Sequence, residues 1–479
     1  MSLAKPQTSP GLYFEQFGIT EELRRQIIQA ALSQGGDDCD LYFQHSASTS
    51  VALSDGKVSR ASSSLDLGMG VRVVVGDQVG YSFSEDLSAG ALIEAAHSAA
   101  QIANTTTNRS VEIEKKLQIP NYYSSQTPWD SIDMAQRVQL VRKWEQAAFA
   151  KDSRVKRVEA YLADAATIIM IVRPDGRLIE DWRPMTTAYL LCTVEENGRL
   201  ERDSYNVAAR AGLEFLTEDR QERLVNQATK RALFQLKASP PPAGEMPVVL
   251  ASGPSAILLH EAIGHGMEAD FNRKKVSIFS SLMNQKVANE HVTIVDDGTI
   301  FGSRGSLNID DEGNESQRTV LVENGILKNY LHDEISAKHF NVAPTGSGRR
   351  QSFRHAPIPR MRATIMENGC HTPEEIISSI QKGIYCSSFS NGQVSIGGGD
   401  FAFFVKSGYL IENGKLTQPI KDANIIGNGP DALSKMDMIG NDMTLDEGGW
   451  TCGKDGQGVP VSQGMPTVRV SSLTVGGVS

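Results

Sequence analysis

His260-Glu261-Ala262-Ile263-Gly264-His265 puts two imidazoles and a carboxylate within a single short stretch. Imidazoles bind divalent metals, and a carboxylate beside them can take a proton from water, so the trio suits metal-assisted hydrolysis. The spacing departs from the familiar His-Glu-x-x-His pattern, in which histidines four residues apart share one helical face. Here the second histidine comes five residues after the first. At about 3.6 residues per turn, that step sets the side chains roughly 140° apart on an α-helix, too splayed for one tetrahedral ion. A one-residue π-bulge would bring i and i+5 back to one face, and such bulges concentrate at functional sites. Gly264 and Gly266 flank His265, and glycine costs an α-helix about 1 kcal/mol relative to alanine, so both are expected to permit the distortion. The pattern predicts a helix that departs from α geometry between His260 and His265. The competing reading of either histidine alone is a hydrogen-bonded core residue.

The elements that must position this stretch follow from local pattern. Pro247-Val248-Val249-Leu250 reads as a short buried strand, and Ser252-Gly253-Pro254 as a polar cap followed by Pro in the first turn of a helix reaching about Asp270. Beyond it the chain is hairpin-rich, with Asn324-Gly325 and Asn413-Gly414 each between apolar runs. Ile396-Gly397-Gly398-Gly399-Asp400 lacks the spacing and lysine of a phosphate loop and reads as a bulge or close approach.

Upstream, helical periodicity covers residues 21–34, 88–103 (with Ser88 as N-cap), 134–151 and 218–236. Strand-like runs occupy residues 40–44, 50–53, 70–75, 157–161, 167–172 and 186–190, with turns at Asp55-Gly56 and Pro174-Asp175-Gly176. Asn104 to Val111 is a polar, Thr-rich break, and Ala238-Ser239-Pro240-Pro241-Pro242-Ala243-Gly244 is the clearest linker. Three regions result: an N-terminal α/β domain over residues 1–120, a middle domain over 121–237 and a β-rich C-terminal domain over 246–479.

A length of 479 residues exceeds what one core supports, in line with that division. A net charge of −10, with only short basic patches (Arg273-Lys274-Lys275, Arg349-Arg350), argues against a nucleic-acid partner. Neither a stretch of about 20 apolar residues nor a secretory signal is apparent, so the expectation is a soluble cytoplasmic protein without a membrane partner. Five scattered cysteines make a disulfide framework unlike this chain. Cys39, Cys192, Cys370 and Cys386 are expected as buried thiols. Cys452 stands in Gly448-Gly449-Trp450-Thr451-Cys452-Gly453-Lys454, where flanking glycines let backbone approach a metal.

Four stretches together resemble the TldD/PmbA family of metallopeptidases, nearest its TldD branch. They are His260-Glu261-Ala262-Ile263-Gly264-His265-Gly266-Met267-Glu268-Ala269-Asp270, Ile309-Asp310-Asp311-Glu312-Gly313, the run from Arg349-Arg350-Gln351 to Pro359-Arg360-Met361, and Thr451-Cys452-Gly453-Lys454-Asp455-Gly456-Gln457. The resemblance spans almost the whole chain. It implies an α+β fold: an N-terminal α/β region, a middle segment, and a β-rich C-terminal metallopeptidase domain carrying the HExxxH helix. It also implies a zinc ion held by His260, His265 and Cys452, with Glu261 as the catalytic carboxylate. Three protein ligands and one open position are what a catalytic zinc needs. The implied activity is cleavage of small or unfolded peptides, in maturation or degradation. The implied assembly is a homodimer, or a heterodimer with a PmbA-type paralogue lacking the zinc motif, in which this chain is the catalytic member.

Other groups near these motifs have competing readings. Glu268 is either an acceptor that orients a ligand imidazole or a surface carboxylate. Asp270, His291, His355 and His371 are further candidate ligands, and His355 can alternatively hold substrate or pair with Arg354 in a turn. Asp310, Asp311 and Glu312 can bind a peptide N-terminus or cap a turn. A non-catalytic binding or regulatory protein with a structural zinc site is the alternative function, and it requires a fourth protein ligand.

Overall fold

The computed structural model describes residues 12–103, 111–123 and 129–477. Except for Val111, the expected Thr-rich break lies outside them. Helix α1 (Glu21–Ala31) starts at Thr20, whose hydroxyl accepts the Leu23 N–H. Two long strands follow, β1 (Asp38–Ser54) and β2 (Lys57–Val75), joined by Asp55-Gly56 with φ of 51° and 74°. That turn matches the sequence expectation, but residues 40–44 and 50–53 belong to one strand. The polar interval is held by its neighbours: Ser46 bonds Thr167, Ser48 bonds Ser64 and Ser50 bonds Ser62, while Ala47, Thr49 and Val51 point inward.

Strand β3 (Gln78–Ser84) and helix α2 (Ala89–Ala100) come next; Ser88 occupies the N-cap position without a side-chain cap bond. After β4 (Lys115–Lys116), helix α3 (Met134–Lys151) is fixed by a reciprocal cap between Asp133 and Gln136. Strands β5 (Val155–Val172), β6 (Arg177–Glu196) and β7 (Arg199–Ala209) precede helix α4 (Glu218–Gln235). The two upstream regions contribute to a single sheet in the order β3-β2-β1-β5-β6-β4, with β7 also on β6. Strand β7 was not anticipated, although Asn197-Gly198, both at positive φ, marks its turn.

Downstream, the strands Gly244–Leu250, Lys382–Val394, Asp400–Glu412, Ala423–Asn428 and Val468–Gly477 pair in a closed ring. Both Asn-Gly hairpins form, and the Gly-rich segment is the connection between Val394 and Asp400. The fold is thus mixed α and β, with a barrel in its last part. The helical segment bearing the two histidines contributes Leu258, Leu259 and Ile263 to the same core as Phe401, Phe403 and Ile425 of the barrel.

Buried charges join the two halves. Arg72 on β2 lies 2.5 Å from both Asp40 and Glu312, Arg183 on β6 lies 2.5 Å from Asp311, and Arg350 lies 2.8 Å from Asp40. Asp311 and Glu312 are therefore occupied in fastening the C-terminal part to the sheet, whereas Asp310 accepts the N–H groups of Glu312, Asn314 and Gly348 within the C-terminal part. The Asp311 and Glu312 carboxylates are paired with arginines, as buried charges must be, while burial and the neighbouring Glu312 push the Asp310 carboxyl up to about 8.

Candidate metal centre

The strand Gly244–Leu250 delivers the chain to Gly253, whose φ of 79° turns it into a short 3₁₀ segment, Pro254–Ala256. Ser252 does not cap this segment; its hydroxyl donates to the Asp442 carbonyl at 2.6 Å. One α-helical turn follows (Ile257–Leu259), then a π turn over His260–Gly264 and a 3₁₀ turn over His265–Met267. The departure from α geometry falls where the five-residue histidine step requires it. The helix does not continue to Asp270. It breaks at Glu268, where ψ is 124°, and restarts as Ala269–Arg273. The break is held from outside by the Leu331 carbonyl, which accepts the Ala269 N–H, and from the restarted helix by the Asn272 amide, which donates to the Glu268 carbonyl.

Gly264 keeps ordinary helical angles, φ −52° and ψ −52°, so backbone freedom is not its role. A Cβ there would lie 1.9 Å from Met361 Sδ, and one on Gly266 would lie 2.7 Å from the Phe279 ring. The glycines provide room for close packing around the widened turn.

That turn brings the His260 and His265 rings to a centroid separation of 5.2 Å. Cys452 arrives from a separate hairpin, Thr451–Lys454 with Gln457–Pro460, which pairs with no further strand among the described residues. Its Sγ lies 3.3 Å from His265 Nε2, and one donor atom from each of His260, His265 and Cys452 falls within 4.8 Å of the others. Ligands of a tetrahedral zinc, with bonds of about 2.0–2.3 Å, stand roughly 3.3–3.5 Å apart. All three residues are buried, and His260 Nδ1 has no hydrogen-bond partner among the described residues. The donor chemistry and the 3.3 Å Cys452–His265 separation fit a bound metal ion.

Electrostatics favours a thiolate at Cys452 beside a protonated His265: burial pushes that ring down, but Glu268 and Cys452 hold it well above its ordinary value, so a metal must displace its Nε2 proton. Burial pushes the Cys452 thiol up, but His260 and His265 bring it down to about 5, in the thiolate range at neutral pH. His265 Nδ1 lies 2.9 Å from Glu268 Oε2, which directs Nε2 toward Cys452. Burial raises Glu268 too, yet Lys454, His265 and Arg360 hold it at about 2. Glu268 thus meets the imidazole-orienting reading and not the surface one. Between His260 and Asp270, Glu261 is the one side chain that is not buried, and it projects from the π turn beside His260.

The remaining candidates lie outside the three-donor cluster. Asp270 pairs with Lys454 at 2.7 Å, His355 bonds Ser352, His371 lies 3.9 Å from Glu375, and His291 is exposed. All five cysteines are free; Cys370 is exposed, contrary to its expected burial, because it stands on a surface connection before the helix Pro373–Ser378. Sequence reasoning gave no role to Arg360 or Lys454, although Lys454 follows Cys452 by two residues and both contact Glu268.

Two imidazoles and a thiolate converging in a β-rich domain, with a less buried carboxylate next in the chain to His260, make up the side-chain set of a metal-dependent hydrolase. The chain belongs to the PmbA/TldA metallopeptidase family: its domain 1 profile matches residues 39–103, its central domain 127–236 and its C-terminal domain 243–477. A protein named metalloprotease TldD homolog from Buchnera aphidicola is 39% identical over 91% of this chain and 92% of its own length. One of the same name from Haemophilus influenzae is 39% identical over 92% of this chain and 93% of its own. A Saccharolobus solfataricus protein named zinc metalloprotease TldD homolog is 38% identical over 52% of this chain and 55% of its own. The crystal structure of TldE from Thermococcus kodakarensis superposes with a TM-score of 0.75 at 17% identity, covering 95% of this chain and all of that one, and shows the shared fold. No helix among the described residues is long and apolar enough to cross a membrane.

Proposed function

We propose that this chain is a zinc-dependent metallopeptidase that hydrolyses small or unfolded peptides and is the catalytic member of a TldD/PmbA-type dimer. The observation that carries the reading is the three-donor cluster of His260, His265 and Cys452. Three protein donors leave a tetrahedral ion one position for water or substrate, whereas a structural zinc site is closed by four. No fourth His, Cys, Asp or Glu joins the cluster among the described residues. Imidazole and thiolate donors favour zinc over harder divalent ions, and the Saccharolobus solfataricus relative carries zinc in its name.

When bound, zinc supplies Lewis acidity at a peptide carbonyl and lowers the pKa of water from about 15.7 to about 7. Glu261, open beside His260, takes the water proton on a carboxylate oxygen and passes it to the leaving amine. Glu268 accepts the His265 Nδ1 proton and so keeps Nε2 available as a donor to the metal. Preference for extended peptides is supported by the Cys452 hairpin. Thr451 and Gly453 on either side of the cysteine are exposed, and an incoming strand can add along such an edge, reading backbone more than side chains. Assembly with a second chain is supported by the outer edge of β2. Strand β3 covers it only from Met69 to Val75, leaving residues 57–68 open with Leu65 70% exposed.

The test is Glu261→Ala, assayed for cleavage of an unstructured peptide by this chain alone and with a PmbA-type paralogue. The variant should retain metal and fold while losing at least about a hundredfold in rate. Unchanged cleavage in both assemblies would remove Glu261 as the base.

A further inference from the structure

Arg360 is fully buried, and its guanidinium reaches both halves of the candidate metal centre. Nη2 donates to the Cys452 carbonyl at 2.6 Å and Nη1 to the Gln457 carbonyl at 3.1 Å, one on each strand of the cysteine hairpin. Nε lies 3.8 Å from Glu268 Oε1, and Glu268 Oε2 lies 2.9 Å from His265 Nδ1. Lys454 closes the circuit from the hairpin side: its Nζ lies 3.2 Å from Glu268, 2.7 Å from Asp270 and 3.0 Å from the Pro359 carbonyl. The next residue, Met361, fills the space at Gly264 in the π turn. Pro359, Arg360 and Met361 therefore touch the hairpin, the Glu268 arm and the widened turn in succession.

We infer that Arg360 is a positioning residue that fixes the Cys452 hairpin against the Glu268–His265 arm, so that thiolate and imidazole already stand at ligand separation when the metal arrives. The inference rests on the metal-centre reading above. An isolated two-stranded hairpin is marginal in water, and this one has no further strand to hold it among the described residues. Its placement must come from side chains. Two carbonyl acceptors on one planar group match the fixed fork of a guanidinium, which a lysine ammonium cannot reproduce, while Glu268 faces Nε at ion-pair distance without a hydrogen bond. Cys452 and His265 are 187 residues apart in the chain, so ordering them only on metal binding would subtract from affinity.

The test uses the full chain as wild type, Arg360→Lys and Cys452→Ser, titrated with cobalt(II) while the near-ultraviolet thiolate-to-cobalt absorption and the dissociation constant are read. Zinc affinity is measured in parallel against a chromophoric chelator. Arg360→Lys should bind each ion roughly 10–100-fold more weakly and show a diminished thiolate band at saturation, with unchanged circular dichroism of the metal-free protein. Wild-type affinity and an undiminished band in Arg360→Lys would overturn the inference, while loss of the band in Cys452→Ser would leave the metal-centre reading standing. A wild-type protein without a thiolate band would overturn both. Should Arg360→Lys fail to fold, hydrogen exchange on the metal-free wild type decides. Hairpin amides protected before zinc is added support a preset hairpin, and amides exchanging like open chain until zinc binds overturn it.

Discussion

His265 Nδ1 and Glu268 Oε2 lie 2.9 Å apart across the break that ends the π turn, with both side chains buried. The carboxylate holds the proton side of the ring and thereby selects the nitrogen that faces Cys452. Glu268→Gln keeps the size but removes the charge that Lys454 and Arg360 also use. Zinc affinity should fall by roughly 10–100-fold in competition titrations, and the thermal midpoint should fall with it.

Gly264 should resist replacement for steric reasons. Alanine is the better helix former by about 1 kcal/mol, yet its Cβ would sit 1.9 Å from Met361 Sδ. Gly264→Ala should lose about 1–3 kcal/mol in urea unfolding, and adding Met361→Ala should return part of that loss by making room. If the glycine served backbone freedom, the second change would only add damage.

The seam between the two halves should be acid-sensitive. Burial pushes the Asp40 carboxyl up, but Arg72, Arg350 and Arg173 bring it to about 2, below its ordinary value of 3.8. A depressed carboxyl contributes stability above its unfolded value, and that contribution drains as pH falls through the folded one. The contribution is about 2 kcal/mol near neutral pH. Asp40→Asn should cost about 3–5 kcal/mol there because it strands buried guanidinium groups. Urea melts of variant and wild type should converge as pH drops from 3.8 toward 2.

The helix distortion was legible because it is a local consequence of spacing: His260 and His265 on one face leave an α-helix no choice. The Asn-Gly hairpins were legible for the same reason. The middle of β1 was not, because Ser46, Ser48 and Ser50 are held by hydroxyls on β2 and β5 that no short window contains. The role of Asp311 and Glu312 was hidden likewise, since Arg72 and Arg183 lie far upstream and only the folded chain sets them opposite. Cys452 stood out by its glycines, but its meeting with His265 came from family resemblance, not from any period in the chain.

Thiol accessibility separates the cysteines. Cys370 is exposed while Cys39, Cys192 and Cys386 are buried, and burial pushes the Cys192 thiol up to about 11. Iodoacetamide should modify Cys370 first in the native protein, and mass spectrometry of digests should show the three buried thiols untouched. Cys452 is buried as well, but its thiol is held at about 5, so in the metal-free protein it should react more slowly than Cys370 and faster than the other three, and zinc should protect it.

A crystal of the zinc-loaded chain, with anomalous differences recorded across the zinc edge, tests the central claim most directly. The account predicts one peak bonded to His260 and His265 nitrogens at about 2.0–2.1 Å, to Cys452 sulfur at about 2.3 Å, and to a single solvent oxygen within reach of Glu261. A fourth protein ligand in place of that oxygen, or zinc bound away from these three residues, would contradict it.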